Sequence, residues 1–158
     1  MKIAKVCESE TYKYFLKERG PYQRDYWERD AAYESAQETL VEVRHTLAFL
    51  RQNLQRAANR TENTQPIEVD LDYLYDIGAE QDFYCALTGE DLEFTRGGQY
   101  WLGKWCNPNS CTIDRIDSDK GYIEGNIQLI TWKANCLKQH LNNDEFIEFC
   151  KDVARYNK

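Results

Sequence analysis

The chain has 158 residues, of which 30 % are charged and 42 % hydrophobic, with a formal net charge of −7. That composition suits one modest globular domain with an appendage, and no apolar run comes near the length of a membrane span. Six cysteines at irregular spacing follow a charged start, Met1-Lys2-Ile3-Ala4-Lys5, which points to a reducing cytoplasm and not to a secreted disulfide scaffold.

The charge is unevenly spread. Residues 1–65 carry eleven Lys/Arg against ten Asp/Glu, and residues 66–158 carry nine against seventeen. Long-range attraction of the acidic second part to DNA is therefore weak, and a nucleic-acid partner would have to be met by local cations. Arg96, Lys104, Arg115, Lys120, Lys133 and Lys138 are the candidates.

In chain order, residues 1–20 contain Tyr12, Tyr14, Phe15 and Leu16 and predict a short helix or an extended arm, stopped by Gly20-Pro21. From Tyr22 to Asn59 there is neither glycine nor proline. Tyr33, Ala36, Leu40, Val43, Leu47, Leu50, Leu54 and Ala57 recur three and four apart, a heptad seam within a long helix. Two readings are open. The seam pairs two chains, or the helix packs on its own domain, a reading that Val41 and Phe49 favour by widening the apolar face. The polar, proline-ended stretch Arg60–Pro66 reads as a linker, which sets two regions, 1–65 helical and 66–158 mixed.

Asp70 is an expected N-cap for a helix bearing Leu71, Leu74 and Tyr75. Tyr84–Leu92 suits a hairpin with Gly89 at the bend. Phe94–Asn109 reads as a loop anchored by Trp101 and Trp105, packed against the following unit or stacking on bases. Thr112–Asp117 and Asn126–Thr131 are strands separated by turns at Ser118–Gly121 and Gly125-Asn126, and Trp132–Gln139 suits a short helix. Last, Asn143 is expected to cap a helix whose Phe146, Phe149, Cys150 and Val153 form a core face.

The run IDRIDSDKGYIEGN, followed by Asn135 and Lys138, resembles the HNH endonuclease family common in bacteriophage genomes. The matching positions are Asp114, Asn126, Asn135 and Lys138, with Gly121-Tyr122 and Gly125 in the loop. The resemblance extends back to Tyr84–Gly89 and forward to Phe146–Ala154. It implies an α+β fold, in which a long N-terminal helical region precedes a small HNH-like ββα-metal domain. It implies DNA phosphodiester hydrolysis with one magnesium or manganese ion held by Asp114 and Asn135. Asn126 would tie the loop across the finger, and Lys120, Lys133 and Lys138 would meet phosphates.

The sequence departs from the family in two places. Arg115 stands where the general-base histidine is usual, and an arginine cannot take a proton from water. It could clamp a phosphate, leaving Asp117, a metal-bound hydroxide or no group at all as base. His140 lies five residues after Asn135, about 140° around an ideal helix, and faces elsewhere if the helix lasts that far. Where zinc-braced relatives carry two CxxC pairs, this chain has Cys85 with Thr88 and Thr131 with Ala134, so no structural zinc is expected there. Cys85, Cys106, Cys111 and Cys136 then read as reduced core thiols, with a rearranged metal site as the minor alternative. The alternative function is a catalytically inactive, HNH-derived binding protein that inhibits a host nuclease or defence complex. Either would act in the cytoplasm of a host, with DNA or a host protein as partner and a homodimer through Tyr33–Ala57 as a possible assembly.

Overall fold

The computed structural model describes residues 26–59, 66–101 and 103–157; the side chains of 26–34, 36, 37, 99–101, 104 and 105 also lie outside the description. Expectations about residues 1–25, most of the linker, Tyr33, Ala36, Lys104, Trp101 and Trp105 therefore fall outside it. The described residues form helices with two small antiparallel sheets, a mixed α+β arrangement. In order they are α1 (Tyr26–Ala58), α2 (Leu71–Glu80), β1 (Gln99–Trp101), β2 (Lys104–Cys106), β3 (Cys111–Arg115), β4 (Ile127–Thr131), α3 (Trp132–Lys138) and α4 (Asn143–Tyr156). β1 pairs with β2, and β3 with β4. None of these helices is long and apolar enough to cross a membrane.

The β3–β4 ribbon is the centre of the body. Its register sets Cys111 opposite Thr131, Ile113 opposite Leu129 and Asp114 opposite Gln128. Every residue of β4 is buried, so the strand is covered on both faces. α1 packs against β3, α2 against β4, and α3 against both strands. The shared core contains Phe49, Leu50 and Ala57 of α1, Leu74 and Tyr75 of α2, and Cys111, Ile113, Leu129 and Ile130 of the ribbon. Phe49, Phe94 and Phe83 form a chain of edge-to-face rings that ends on Tyr75.

Half of the heptad seam is thereby accounted for. Leu50 is fully buried within its own chain, and Val43, Leu47 and Leu54 pack against the same core. From Val43 to Ala57 the seam residues lie in or against the core of their own chain, and the second half of the helix belongs to the core of the region after residue 66. Asp70 caps α2, accepting from the Tyr73 amide. Gly121 lies hard against the Pro66 backbone, where a Cβ would collide with the Pro66 carbonyl oxygen. That close approach lets Tyr122 N donate to Pro66 O at 2.8 Å and Glu68 N to Tyr122 O at 2.8 Å, which staples the chain before α2 to the β3–β4 loop.

α4 corrects an expectation. Its N-cap is Asn142, one residue earlier than expected, closed with Glu145 in a reciprocal capping box. Asn143 instead turns inward and exchanges hydrogen bonds with Gln128. None of the α4 residues is buried, and Phe149 is 61 % exposed. The face expected to be core is thus a surface stripe, because periodicity identifies an apolar face but not what covers it.

Leu50→Ala should cost about 2–5 kcal/mol of stability, the range for emptying a well-packed leucine site. Val41→Ala, on the exposed side of the same helix, should stay within about 0.5 kcal/mol. Urea unfolding of the two variants measures the difference.

Candidate nucleic-acid and metal site

The site forms where β3 meets α3. Thr112 and Asp114 are two apart on a strand and share a face; Asn135 and Lys138 are three apart on a helix and share a face. The two faces meet in register. Asn135 Nδ2 donates to Thr112 Oγ1 at 3.3 Å. Lys138 Nζ lies 3.2 Å from Asp114 Oδ2 and 3.4 Å from Oδ1, and donates to the Arg115 carbonyl at 2.8 Å. Lys138 is 0 % exposed and Asp114 6 %. Gln128, the register partner of Asp114, donates to Oδ2 at 2.8 Å. The expected phosphate contact of Lys138 is therefore replaced by an internal ion pair.

Asn126 holds the loop together. Its amide donates to the carbonyls of Asp117 at 3.0 Å and Gly121 at 2.9 Å, and its oxygen accepts from Asp117 N at 2.9 Å. Such a buried amide satisfies three backbone groups of an irregular loop that has no strand partner. Arg115 lies over the Tyr122 ring at 5.4 Å and donates to the Lys120 carbonyl. Lys120, which is exposed, pairs at 3.0 Å with the half-buried Asp117. The Lys120 hydrogen bond, followed by the Asp119 amide, holds the Asp117 carboxyl below its usual range. A carboxylate so held is a poor proton acceptor. Lys133 points away from this cluster to an ion pair with Glu90.

The structure adds one residue that helical geometry had set aside. α3 ends at Lys138, and Gln139 takes φ +52. The chain reverses there, so the 140° rotation expected for His140 never accrues. His140 lines a recess of about 290 Å³ together with Asp114, Arg115, Ser118, Asn135 and Gln139. The signal available in the sequence was the break itself: residues 139–142 (QHLN) lead into an Asn cap, so α3 had to end near Lys138.

At two of the positions where zinc-braced HNH proteins carry cysteines, Cys85 Sγ accepts from Thr131 N at 3.4 Å and lies 3.9 Å from Thr131 Oγ1. Burial pushes the Cys85 thiol up, but hydrogen bonds from Thr88 and nearby backbone amides outweigh it and leave the thiol below its ordinary value. Cys111, enclosed in the core beside it, is pushed up to about 12 by burial. Among the described residues no cluster of three or more His, Cys, Asp or Glu side chains is arranged to hold a metal.

A hard divalent cation is held by oxygen, and magnesium in particular takes one or two carboxylates and completes its shell with water and phosphate. Asp114 and Asn135 line one recess, and the Asn135 amide uses its nitrogen on Thr112, which leaves its oxygen available. The donor set fits such an ion, with the Asp114 carboxylate shared with Lys138. No family model, curated protein or solved structure matches the chain.

Lys138→Met should destabilise the fold by about 3–5 kcal/mol, because it strands a buried carboxylate. Adding Asp114→Asn should restore most of the loss. Urea unfolding of the single and double variants tests whether the pair holds α3 to β3.

Proposed function

We propose that this protein is a metal-dependent, HNH-like endonuclease that hydrolyses DNA phosphodiester bonds. The observation that carries the reading is the convergence of Asp114, Arg115, Asn135 and His140 on one recess of a strand–loop–strand–helix unit; of these, Asp114 and Asn135 are at positions that resemble the ββα-metal finger of HNH nucleases. Asp114 and Asn135 are the residues that would hold a magnesium or manganese ion, which supplies charge stabilisation on the leaving oxygen. Arg115 binds the scissile phosphate and steadies the negative charge that grows on it. His140 takes the place of the missing base, since imidazole suits proton transfer near neutral pH. Water adds to phosphorus as its proton passes to the imidazole, and the bond from phosphorus to the leaving sugar oxygen breaks. Asn126 keeps the loop in shape, and Lys120 at its rim is the lysine placed to meet a neighbouring phosphate.

A second reading rests on the Lys138 ammonium, which already balances the Asp114 charge. On that reading the unit is a catalytically silent HNH-derived protein that binds its target without cutting it.

Supercoiled plasmid with magnesium or manganese separates the two. Nicking by the wild type supports the nuclease; DNA binding without nicking under either metal supports the silent protein. On the nuclease reading, Asp114→Ala should abolish cleavage and Arg115→Ala should slow it about 10²- to 10³-fold. His140→Ala should slow it about 10²- to 10⁴-fold, whereas Asp117→Asn should have a far smaller effect. A wild-type rate for His140→Ala would remove it as the base.

A further inference from the structure

A second, larger recess of about 480 Å³ lies beside the first and shares Asn135, Ile113 and Tyr122 with it. It is framed by the end of α1, the loop that begins at Glu93, and the β3–α3 face. Its polar lining includes Asn53, Arg56, Arg96, Asn107, Ser110 and Asn135. Among the described residues no carboxylate lines it, although the protein as a whole carries a charge of −7.

Like Arg44, Arg51 and Arg115, the two arginines have no carboxylate partner among the described residues; what sets them apart is that both line this recess. Among the described residues neither guanidinium forms an ion pair with a carboxylate, whereas Lys120, Lys133, Lys138, Lys151 and Arg155 all do. Arg56 is exposed in the last turn of α1. Arg96 is half-buried and tightly located. Its Nη2 donates to Asn53 Oδ1 at 2.9 Å, and Asn53 Nδ2 donates to the Cys111 carbonyl at 3.0 Å, so one amide ties the guanidinium to β3. Its flat face covers the Phe49 ring at 4.8 Å. Its Nε–H is buried and has no acceptor.

The loop around Arg96 is also fixed. Asn107 N donates to Arg96 O at 3.1 Å, while the Asn107 side chain donates to Glu93 at 2.7 Å. Packing on Phe49 explains where Arg96 lies. It does not explain a positioned cation with a buried, unsatisfied Nε–H and no carboxylate in ion-pair contact among the described residues, since such a group ordinarily has a partner.

We propose that this recess binds a phosphodiester group of the nucleic-acid strand that reaches Asn135, with Arg56 and Arg96 as its charged contacts. Two guanidiniums, amides and a hydroxyl are a donor-rich lining suited to an anion. Arginine in particular matches the paired oxygens of a phosphate. The volume admits a nucleotide-sized group. This inference builds on the nuclease reading for the direction of the strand, but its test reads binding and not cleavage.

The test is fluorescence anisotropy of a labelled DNA duplex against the full chain, in EDTA, over a salt series. Arg56→Gln should weaken binding several-fold and lower the slope of log affinity against log salt by about 1. Arg96→Lys keeps the charge but loses the fork; it should weaken binding with little change in slope, and circular dichroism confirms its fold. Unchanged affinity and slope in both variants would overturn the proposal.

Plasmid nicking by the wild type alongside unchanged binding would remove the phosphate site and leave the nuclease standing. Arginine-dependent binding by a protein that never nicks would support the site and remove the nuclease. An inorganic phosphate arm separates free anion from strand. Thermal stabilisation by phosphate that Arg56→Gln abolishes, with unchanged DNA binding, would mark a free-anion site and overturn the strand assignment.

Discussion

The buried pair of Lys138 and Asp114 sets the position of nearly everything else at the site. Taking an ammonium and a carboxylate out of water costs several kcal/mol each, and their attraction offsets that cost only when further hydrogen bonds complete both groups. Here they do. Gln128 and Lys138 both reach Asp114, and the Arg115 carbonyl accepts from Lys138. The pair locks the last turn of α3 to the middle of β3. Asn135, one turn earlier, is then held beside Thr112, and the chain leaving α3 must turn back at Gln139, which brings His140 into the recess. Gln128 in turn exchanges hydrogen bonds with Asn143, so the start of α4 hangs from the same network.

Much of this local geometry was legible in the sequence, for physical reasons that differ by element. Alternating Ile and charged residues gave β3, and the β-branched run gave β4, because a two-residue period specifies a strand and its faces. The Asp70 cap was equally readable, since a side-chain acceptor ahead of an apolar repeat has few other uses. Lys138 was misread because spacing places it on the face of Asn135 but cannot say whether its long side chain reaches out to solvent or down to Asp114. His140 was set aside on the assumption of a continuing helix, which Gln139 breaks. The exposed stripe of α4 was read as core because an amphipathic pattern implies a partner without identifying one.

α1 shows how one pattern can serve competing assemblies. A repeat of three and four is common to coiled-coil seams and to helices that lie on a mixed core, and sequence alone does not rank them. The residues that break the strict seam decide the matter in the second half of the helix. Phe49 lies off the seam, yet it is 7 % exposed and packs edge-on against Phe94. A seam with an aromatic wedge beside it makes a wider face than a two-helix contact needs, and the β3–β4 ribbon with α2 supplies a surface of that width. The same packing turns Asn53 and Arg56 toward the recess beside Asn135. The helix that looked like an appendage is thus part of the candidate binding surface.

The distribution of charge follows from these placements. A protein with a net charge of −7 cannot draw DNA from a distance, so any attraction must act over less than a Debye length. In and beside the two recesses the cations are not equivalent. The Lys138 charge is matched by Asp114 in a buried setting and contributes little outward. Arg115, Arg56 and Arg96 keep their charge without a carboxylate partner among the described residues, so their field is available to an anion at close range. On the nuclease reading a metal ion would follow the same logic. Asp114 is shared with Lys138 and Asn135 is neutral, so the protein alone offers a divalent ion less than one full negative charge. A phosphate oxygen would supply what is missing. On that reading ion and strand would bind more strongly together than either does alone, and arginines that met the strand would also support the ion.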